Sequence, residues 1–196
     1  ITLRPVSKLW GFTDGNPHVP DAGQITAALK ETGTDLINVT GNQISCGGEL
    51  DLGGIAKGYA AACLREIFAA NSIENAVASL GGNVMLCGTR PDGKPWNVGI
   101  IHPSKEDMLI GTLKASDTAV VTSGMYERKF EQDGKIYHHI IDPETGYPAN
   151  SGIVSATVIS KDDTLADALS TALFVMGPQR ACELRQSQGG LEMILV

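Results

Sequence analysis

The spacing of apolar residues changes several times along the chain, and each change marks a new element. Asp21 with Gln24 three residues later forms a capping-box pattern, and Ile25, Ala28 and Leu29 follow at helical spacing, so a short helix starts here and stops by Gly33. Leu36 to Val39 and Gln43 to Cys46 flank Gly41-Asn42 as a hairpin, and Glu49 to Leu52 reads as a further strand. After Gly53-Gly54 a longer helix is predicted from about Ile55 to Ala70. Asn75 to Leu80 then forms a strand leading into Gly81-Gly82, and Val84 to Cys87 is expected to pair with Trp96 to Ile101 across the Pro91-Asp92-Gly93 turn.

Strands are also predicted at Leu109 to Leu113, Ala119 to Thr122, Tyr126 to Glu131, Ile136 to Ile141 and Val154 to Ser160, with Asp133-Gly134 turning the third into the fourth. Asp162 to Met176 places Leu165, Leu169, Ala172, Leu173 and Met176 on one helical face and ends at Gly177-Pro178. A last helix and a strand from Leu191 to Val196 complete the pattern. No repeat and no Pro/Ser-rich linker interrupts it, so the sequence reads as one α+β domain over residues 1–196, with antiparallel sheets and packed helices.

Composition narrows the function classes. With 42% hydrophobic and 19% charged residues the chain is globular rather than disordered. Fifteen Lys and Arg against 22 Asp and Glu give a formal charge of -7, which argues against a nucleic-acid partner. The apolar runs are well short of the ~20 residues that a membrane-spanning helix needs. Cys46, Cys63, Cys87 and Cys182 contain no C-x-x-C pair, so they read as buried thiols rather than a zinc or redox site. No leader of charged, apolar and small residues follows Ile1.

Three segments carry candidate chemistry. Asp51-Leu-Gly-Gly-Ile-Ala-Lys-Gly58 sets two glycines and Lys57 at a helix start, which suits either a structural turn or an anion site, without being a phosphate loop or dinucleotide fingerprint. In Tyr137-His-His-Ile-Ile-Asp-Pro-Glu-Thr-Gly146, His138 and His139 are expected on opposite faces of a strand buried on both sides, and Asp142 opens a tight turn of the kind that displays catalytic groups. A satisfied core histidine is the plainer alternative for each. Asp167 and Thr171 are neighbours at i, i+4, expected on the polar face opposite Leu165 and Leu169, where a carboxylate and a hydroxyl suit a hard cation such as Mg²⁺. A solvated Asp and a back-bonded Thr explain the same pattern.

Taken together the segments resemble the flavin transferases of the ApbE family, the FAD:protein FMN transferases. The resemblance rests on Pro5-Val-Ser-Lys-Leu-Trp-Gly-Phe12, Asp51 to Tyr59, Ser79-Leu-Gly-Gly-Asn83, Thr122-Ser-Gly-Met-Tyr-Glu-Arg128, His138 to Pro148 and Asp167-Ala-Leu-Ser-Thr-Ala-Leu173, in the family's order over about nine-tenths of the chain. It implies a domain related to the T-fold that binds FAD and Mg²⁺ and transfers FMN to a threonine hydroxyl of a target flavoprotein, of the redox-pump subunit type, with AMP leaving.

By position it implies Asp167, Thr171 and the carbonyl of Ala56 as Mg²⁺ ligands and His139 as the base, with Asp142 beside it as a catalytic candidate. Lys57, Gly81, Gly82 and Ser123 are the implied contacts to the flavin nucleotide. An extracytoplasmic, periplasmic or cell-surface location and a lipoprotein, membrane-associated setting follow from the same resemblance. Two departures stand out: Ala60-Ala-Ala-Cys-Leu64 replaces the Asp that the family usually places behind Lys57-Gly58-Tyr59, and the family's upstream segment and final strand are not expected within residues 1–196. The upstream segment normally helps to build the adenine and isoalloxazine pockets. FAD hydrolysis to FMN and AMP, a flavin-binding module without catalysis and a non-flavin T-fold protein are the rival readings.

Overall fold

The computed structural model describes residues 1–196, the side chain of residue 106 excepted. The chain divides into two compact units, one formed by Ile1–Gly53 with Met125–Asn150 and the other by Gly54–Gly124 with Ser151–Val196.

The first unit holds helices α1 (Arg4–Leu9) and α2 (Ala22–Leu29), a 3₁₀ turn at Thr34–Leu36, and the hairpin β1 (Ile37–Thr40) with β2 (Gln43–Cys46). α1 starts at a proline in its first turn and was not marked by any apolar period. α2 carries the full capping box at Asp21 and Gln24. Thr40 pairs with Gln43, which confirms the two-residue Gly41-Asn42 turn. The strand expected at Glu49 to Leu52 is a loop, because Asp51 is occupied by the Ile1 carbonyl, Ser7 and the Gly53 amide instead of a ladder.

This unit's core is aromatic. Val6, Trp10, Ile25 and Ile141 are buried at its centre, with Phe12, Phe130 and Tyr137 packed against them. The Trp10 ring lies 5.5 Å from Tyr137 and 5.6 Å from Tyr147, and its Nε1–H donates to the Gly146 carbonyl at 2.9 Å. Gly146 is needed where it stands: its φ is +73°, and a Cβ there would meet Ile25 Cγ2 at 2.5 Å.

The second unit opens with α3 (Ala56–Ala70) and the strands β3 (Ala76–Ser79), β4 (Asn83–Cys87), β5 (Trp96–His102), β6 (Lys105–Ala115) and β7 (Thr118–Gly124). In the first unit follow β8 (Lys129–Gln132) and β9 (Lys135–His138), and the second unit is completed by β10 (Ser155–Ser160), α4 (Asp163–Ser187) and β11 (Glu192–Leu195). β11, β10, β7, β4 and β3 make one antiparallel sheet in that order. β4 therefore pairs with β3 and β7, and β5 pairs with β6, not with β4 as expected. The separate β5–β6 ribbon sets Val98, Ile100 and Ala115 against Leu86 and Val120 on one sheet face. α3 and α4 cover the other, where Ala61 meets Met85 and Cys87.

Two further expectations are corrected and a third holds. Leu165 is exposed at 41%, while Asp163, Ala166, Asp167, Ser170, Leu173 and Phe174 form the buried face of α4, so the buried stripe keeps Leu173 but is turned away from Leu165 and toward Asp163, Asp167 and Ser170. The polar groups on that face are tolerated because each has a fixed partner, such as the two-pronged Arg65–Asp163 pair. Of the cysteines only Cys87 is buried; all four are free thiols. Gly177, with φ +82°, breaks α4 where the Gly-Pro signal placed the stop.

The two helices of this unit cross at Gly58. A Cβ there would lie 2.5 Å from the Asp163 carbonyl and 2.6 Å from Asp167 Cβ. Gly58→Ala gains helix propensity of about 1 kcal/mol but pushes backbone against backbone, an overpacking cost of about 1–3 kcal/mol that here sits at or beyond the upper end. Urea unfolding is expected to show a net loss of stability, and an unchanged midpoint would mean that the crossing relaxes without cost.

Candidate functional site

Ile55, the N-cap of α3, makes no side-chain capping bond. The missing acceptor comes from the neighbouring helix: Asp167 Oδ2 accepts from the Gly58 amide at 2.7 Å, at the third helical position where a capping side chain normally bonds. Asp167 is only 3% exposed, so the expected solvated carboxylate is instead a buried cap, and the positive end of α3 favours its charge. The bond commits Oδ2 and leaves Oδ1 for another partner.

One turn further along α4, the Thr171 hydroxyl lies 3.0 Å from Ser123 Oγ on β7, and Ser123 Oγ lies 2.8 Å from Ser170 Oγ. A Cβ on Gly54 would lie 3.9 Å from Thr171 Oγ1, so the chain entering α3 runs beside this hydroxyl. Lys57, in the first turn of α3, donates from Nζ to the Gly81 carbonyl at 2.6 Å. Gly81 and Gly82 have φ of +57° and +83°, and Leu80 N donates to the Asn83 carbonyl at 2.8 Å, so these glycines make the two-residue turn of the β3–β4 hairpin. The second unit thus gathers Ala56, Lys57, Gly81, Ser123, Asp167 and Thr171 around the start of α3.

His139 and Asp142 belong to the first unit. The strand is not buried on both sides as expected: it ends at His138, and Ile136 is 49% exposed, because β8 and β9 form a ribbon of two strands with no covering layer on its outer face. His138 is buried with Nε2–H donating to the Ala149 carbonyl at 3.1 Å. Half-buried His139 has Nδ1 at 3.3 Å from the Arg128 carbonyl and its ring 6.5 Å from Phe12, edge to face. A carbonyl only accepts, so Nδ1 carries the proton and the lone pair of the neutral ring is on Nε2, the tautomer a base requires. Asp142 closes the following turn: Oδ1 accepts from Glu144 N, its carbonyl from Gly146 N, and its amide donates to the Tyr147 carbonyl, each at 2.8 Å.

The oxygen donors of the second unit fit Mg²⁺. One carboxylate oxygen, one hydroxyl and the carbonyl of Ala56, which keeps a second lone pair beyond its helical bond, are hard ligands too few for a closed cage, as suits an ion shared with phosphate. Among the described residues no group of three or more His, Cys, Asp or Glu gathers to form a different metal site.

The ApbE family model matches residues 1–195. The chain belongs to the ApbE family. It is 38% identical to the FAD:protein FMN transferase of Klebsiella pneumoniae over the whole of this chain and 62% of that protein, and 37% identical to that of Vibrio cholerae over 95% of this chain and 58% of that protein. The ApbE protein of Thermotoga maritima superposes with a TM-score of 0.91 at 39% identity, covering all of this chain and 65% of its own. The Pseudomonas stutzeri flavinyl transferase ApbE gives 0.84 at 33%, over 62% of its chain. The α+β architecture is that of ApbE structures, and the chain spans about three-fifths of the length of these curated relatives.

The ApbE signals led to Asp167, Thr171 and Ser123 but not to Gly58 as a crossing point or to Ser170. Ser170, three residues after Asp167 and one before Thr171, could have been found from its place beside both.

Replacing Asp167 separates its two tasks. Asp167→Ala removes the α3 cap and is expected to cost about 1–2 kcal/mol. Asp167→Asn keeps an oxygen for the Gly58 amide and should lose much less stability, while both variants lose cation affinity. Thermal melts with Mg²⁺ titrations check this; full cation affinity in Asp167→Asn would remove the charge from the site.

Burial pushes the His138 pKa below its ordinary 6.5, only partly opposed by its bond to the Ala149 carbonyl. The unfolded chain therefore binds more protons than the folded one below that value, so His138's stabilisation is complete above about pH 6.5 and is lost as the pH falls through its folded pKa. The melting temperature is expected to fall from pH 7.5 to 5.5, and the His138 part of that slope should vanish in His138→Asn.

Proposed function

We propose that the chain carries the nucleotide-transfer site of an FAD:protein FMN transferase, moving FMN from FAD to a threonine hydroxyl of a target flavoprotein and releasing AMP. The observation that carries the reading is Asp167: a buried carboxylate with one oxygen fixed by the Gly58 amide at the N-terminus of α3, one helical turn before the Thr171 hydroxyl on α4. The relatives' shared name supports FAD as the substrate and a protein as the acceptor.

In the reaction the bond from the FMN phosphorus to the bridging oxygen breaks, and one from that phosphorus to the threonine oxygen forms. The threonine proton passes to a base, and AMP leaves with the bridging oxygen. Bound Mg²⁺, held by Asp167, Thr171 and the Ala56 carbonyl, would neutralise charge on the pyrophosphate oxygens. The N-terminus of α3 adds positive potential for the same anion. Lys57 holds the Gly81–Gly82 turn against α3, which keeps that surface rigid. His139, with its proton fixed at Nδ1 by the Arg128 carbonyl, accepts the threonine proton at Nε2. Asp142 acts by shaping the turn that follows. On the family resemblance the target is a redox-pump type subunit, and the work is done outside the cytoplasm, in the periplasm or at the cell surface.

His139→Ala is expected to slow FMN transfer by roughly 10²–10⁴-fold with FAD binding retained. Mass analysis of a threonine-bearing acceptor, with AMP and FMN quantified, reads this directly. Transfer that persists unchanged in His139→Ala would remove the base assignment, and free FMN in place of a modified acceptor would identify a hydrolase.

A further inference from the structure

Ser170 is fully buried on α4, and its hydroxyl donates to the Asp167 carbonyl at 2.9 Å. A carbonyl can only accept, so the single Ser170 proton is committed there. The contact between Ser123 Oγ and Ser170 Oγ, 2.8 Å, must then be filled by the Ser123 proton. With that proton spent, the 3.0 Å contact between Ser123 and Thr171 can only be filled by the proton of Thr171. The direction of three hydrogen bonds is thus set from one end, by a backbone carbonyl that no rotation can turn into a donor.

We propose that Ser170 and Ser123 are positioning residues that draw the Thr171 proton away from the cation site and leave Thr171 Oγ1 presenting lone pairs to a divalent cation. A threonine hydroxyl is an ambiguous ligand: rotated one way it offers lone pairs, rotated the other it points a proton at the metal. The chain Thr171 to Ser123 to Ser170 to the Asp167 carbonyl removes the second choice before the ion arrives. Its terminus is the residue whose carboxylate also lies in the site, so the same turn of α4 supplies the charged ligand and fixes the neutral one. The inference rests on the reading of Thr171 as a cation ligand.

The test uses Mn²⁺ added to the full chain, with bound ion read from the loss of the free-ion electron spin resonance signal, and needs no turnover. Ser170→Ala and Ser123→Ala are each expected to weaken Mn²⁺ binding by about 10–100-fold, as loss of an outer hydrogen-bond partner of a ligand does. Thr171→Val, which keeps the shape and removes the hydroxyl, should weaken it at least as much. In the Thr171→Val background, adding Ser170→Ala should change nothing more. Unchanged affinity in the two serine variants while Thr171→Val binds weakly overturns the relay and leaves the ligand assignment standing. Equal further weakening by Ser170→Ala in the Thr171→Val background also overturns it, since Ser170 would then act elsewhere. Unchanged affinity in Thr171→Val, or no Mn²⁺ binding by the unaltered chain, overturns the cation reading itself and the relay with it. Thermal melts of the metal-free variants identify any loss of affinity that comes from unfolding.

Discussion

The bond from the Gly58 amide to Asp167 is the constraint on which the second unit's chemistry depends. It exists because position 58 has no Cβ: only glycine lets α3 come close enough to α4 for a backbone amide to reach a side chain on the other helix. One contact therefore satisfies an orphan donor, neutralises part of a buried charge and aims the remaining carboxylate oxygen. The Arg65 guanidinium, bonded through Nε and Nη2 to Asp163 and through Nη1 to the Leu86 carbonyl, holds the same helices and β4 together a turn away. The pairing drives the Arg65 pKa further up, mainly through the Asp163 hydrogen bonds, so the clamp keeps its charge. Precision at the site comes from elements that are rigid for reasons of packing.

The first unit solves a different problem by different means. Its candidate base sits just after a short ribbon, not on a covered sheet, and rigidity has to come from side chains. The Trp10 indole supplies it by packing between Tyr137 and Tyr147 and bonding to the Gly146 carbonyl. The Trp-Gly-Phe and His-to-Pro motifs, far apart in sequence, are two halves of one aromatic core that fixes the turn after His139.

What was readable in the sequence was local. The Asp21–Gln24 box and the turns at Gly41-Asn42 and Asp133-Gly134 are set by neighbouring residues, and all are present. The pairing of β4 with β7 is not local, and a β4–β5 hairpin was the natural error because proximity in sequence was the only guide. The buried face of α4 is rotated from the expected one for a more instructive reason. Periodicity assumes that the buried side is apolar, and α4 buries Asp163, Asp167 and Ser170 because the layers above them provide bonds. Two of these residues, Asp167 and Ser170, belong to the candidate site, and Asp163 anchors the Arg65 clamp beside it. Gly81 and Gly82 illustrate the converse: they carried a family expectation of nucleotide contact, and their positive φ values are required by a hairpin turn in any case.

The two tryptophans of this chain fall one to each unit. Trp10 is fully buried in the aromatic core of the first, and Trp96 is half-buried on β5 with its Nε1–H on the Cys87 carbonyl of the second. Their emission should differ in colour, since one indole is sealed from water and the other is not. The protein therefore contains its own pair of optical reporters, one beside the histidine turn and one on the ribbon packed against the sheet that supports the hydroxyl chain. Removing either indole leaves a signal that belongs to a single unit, so the order in which the two halves loosen under heat or denaturant can be followed without attaching a dye.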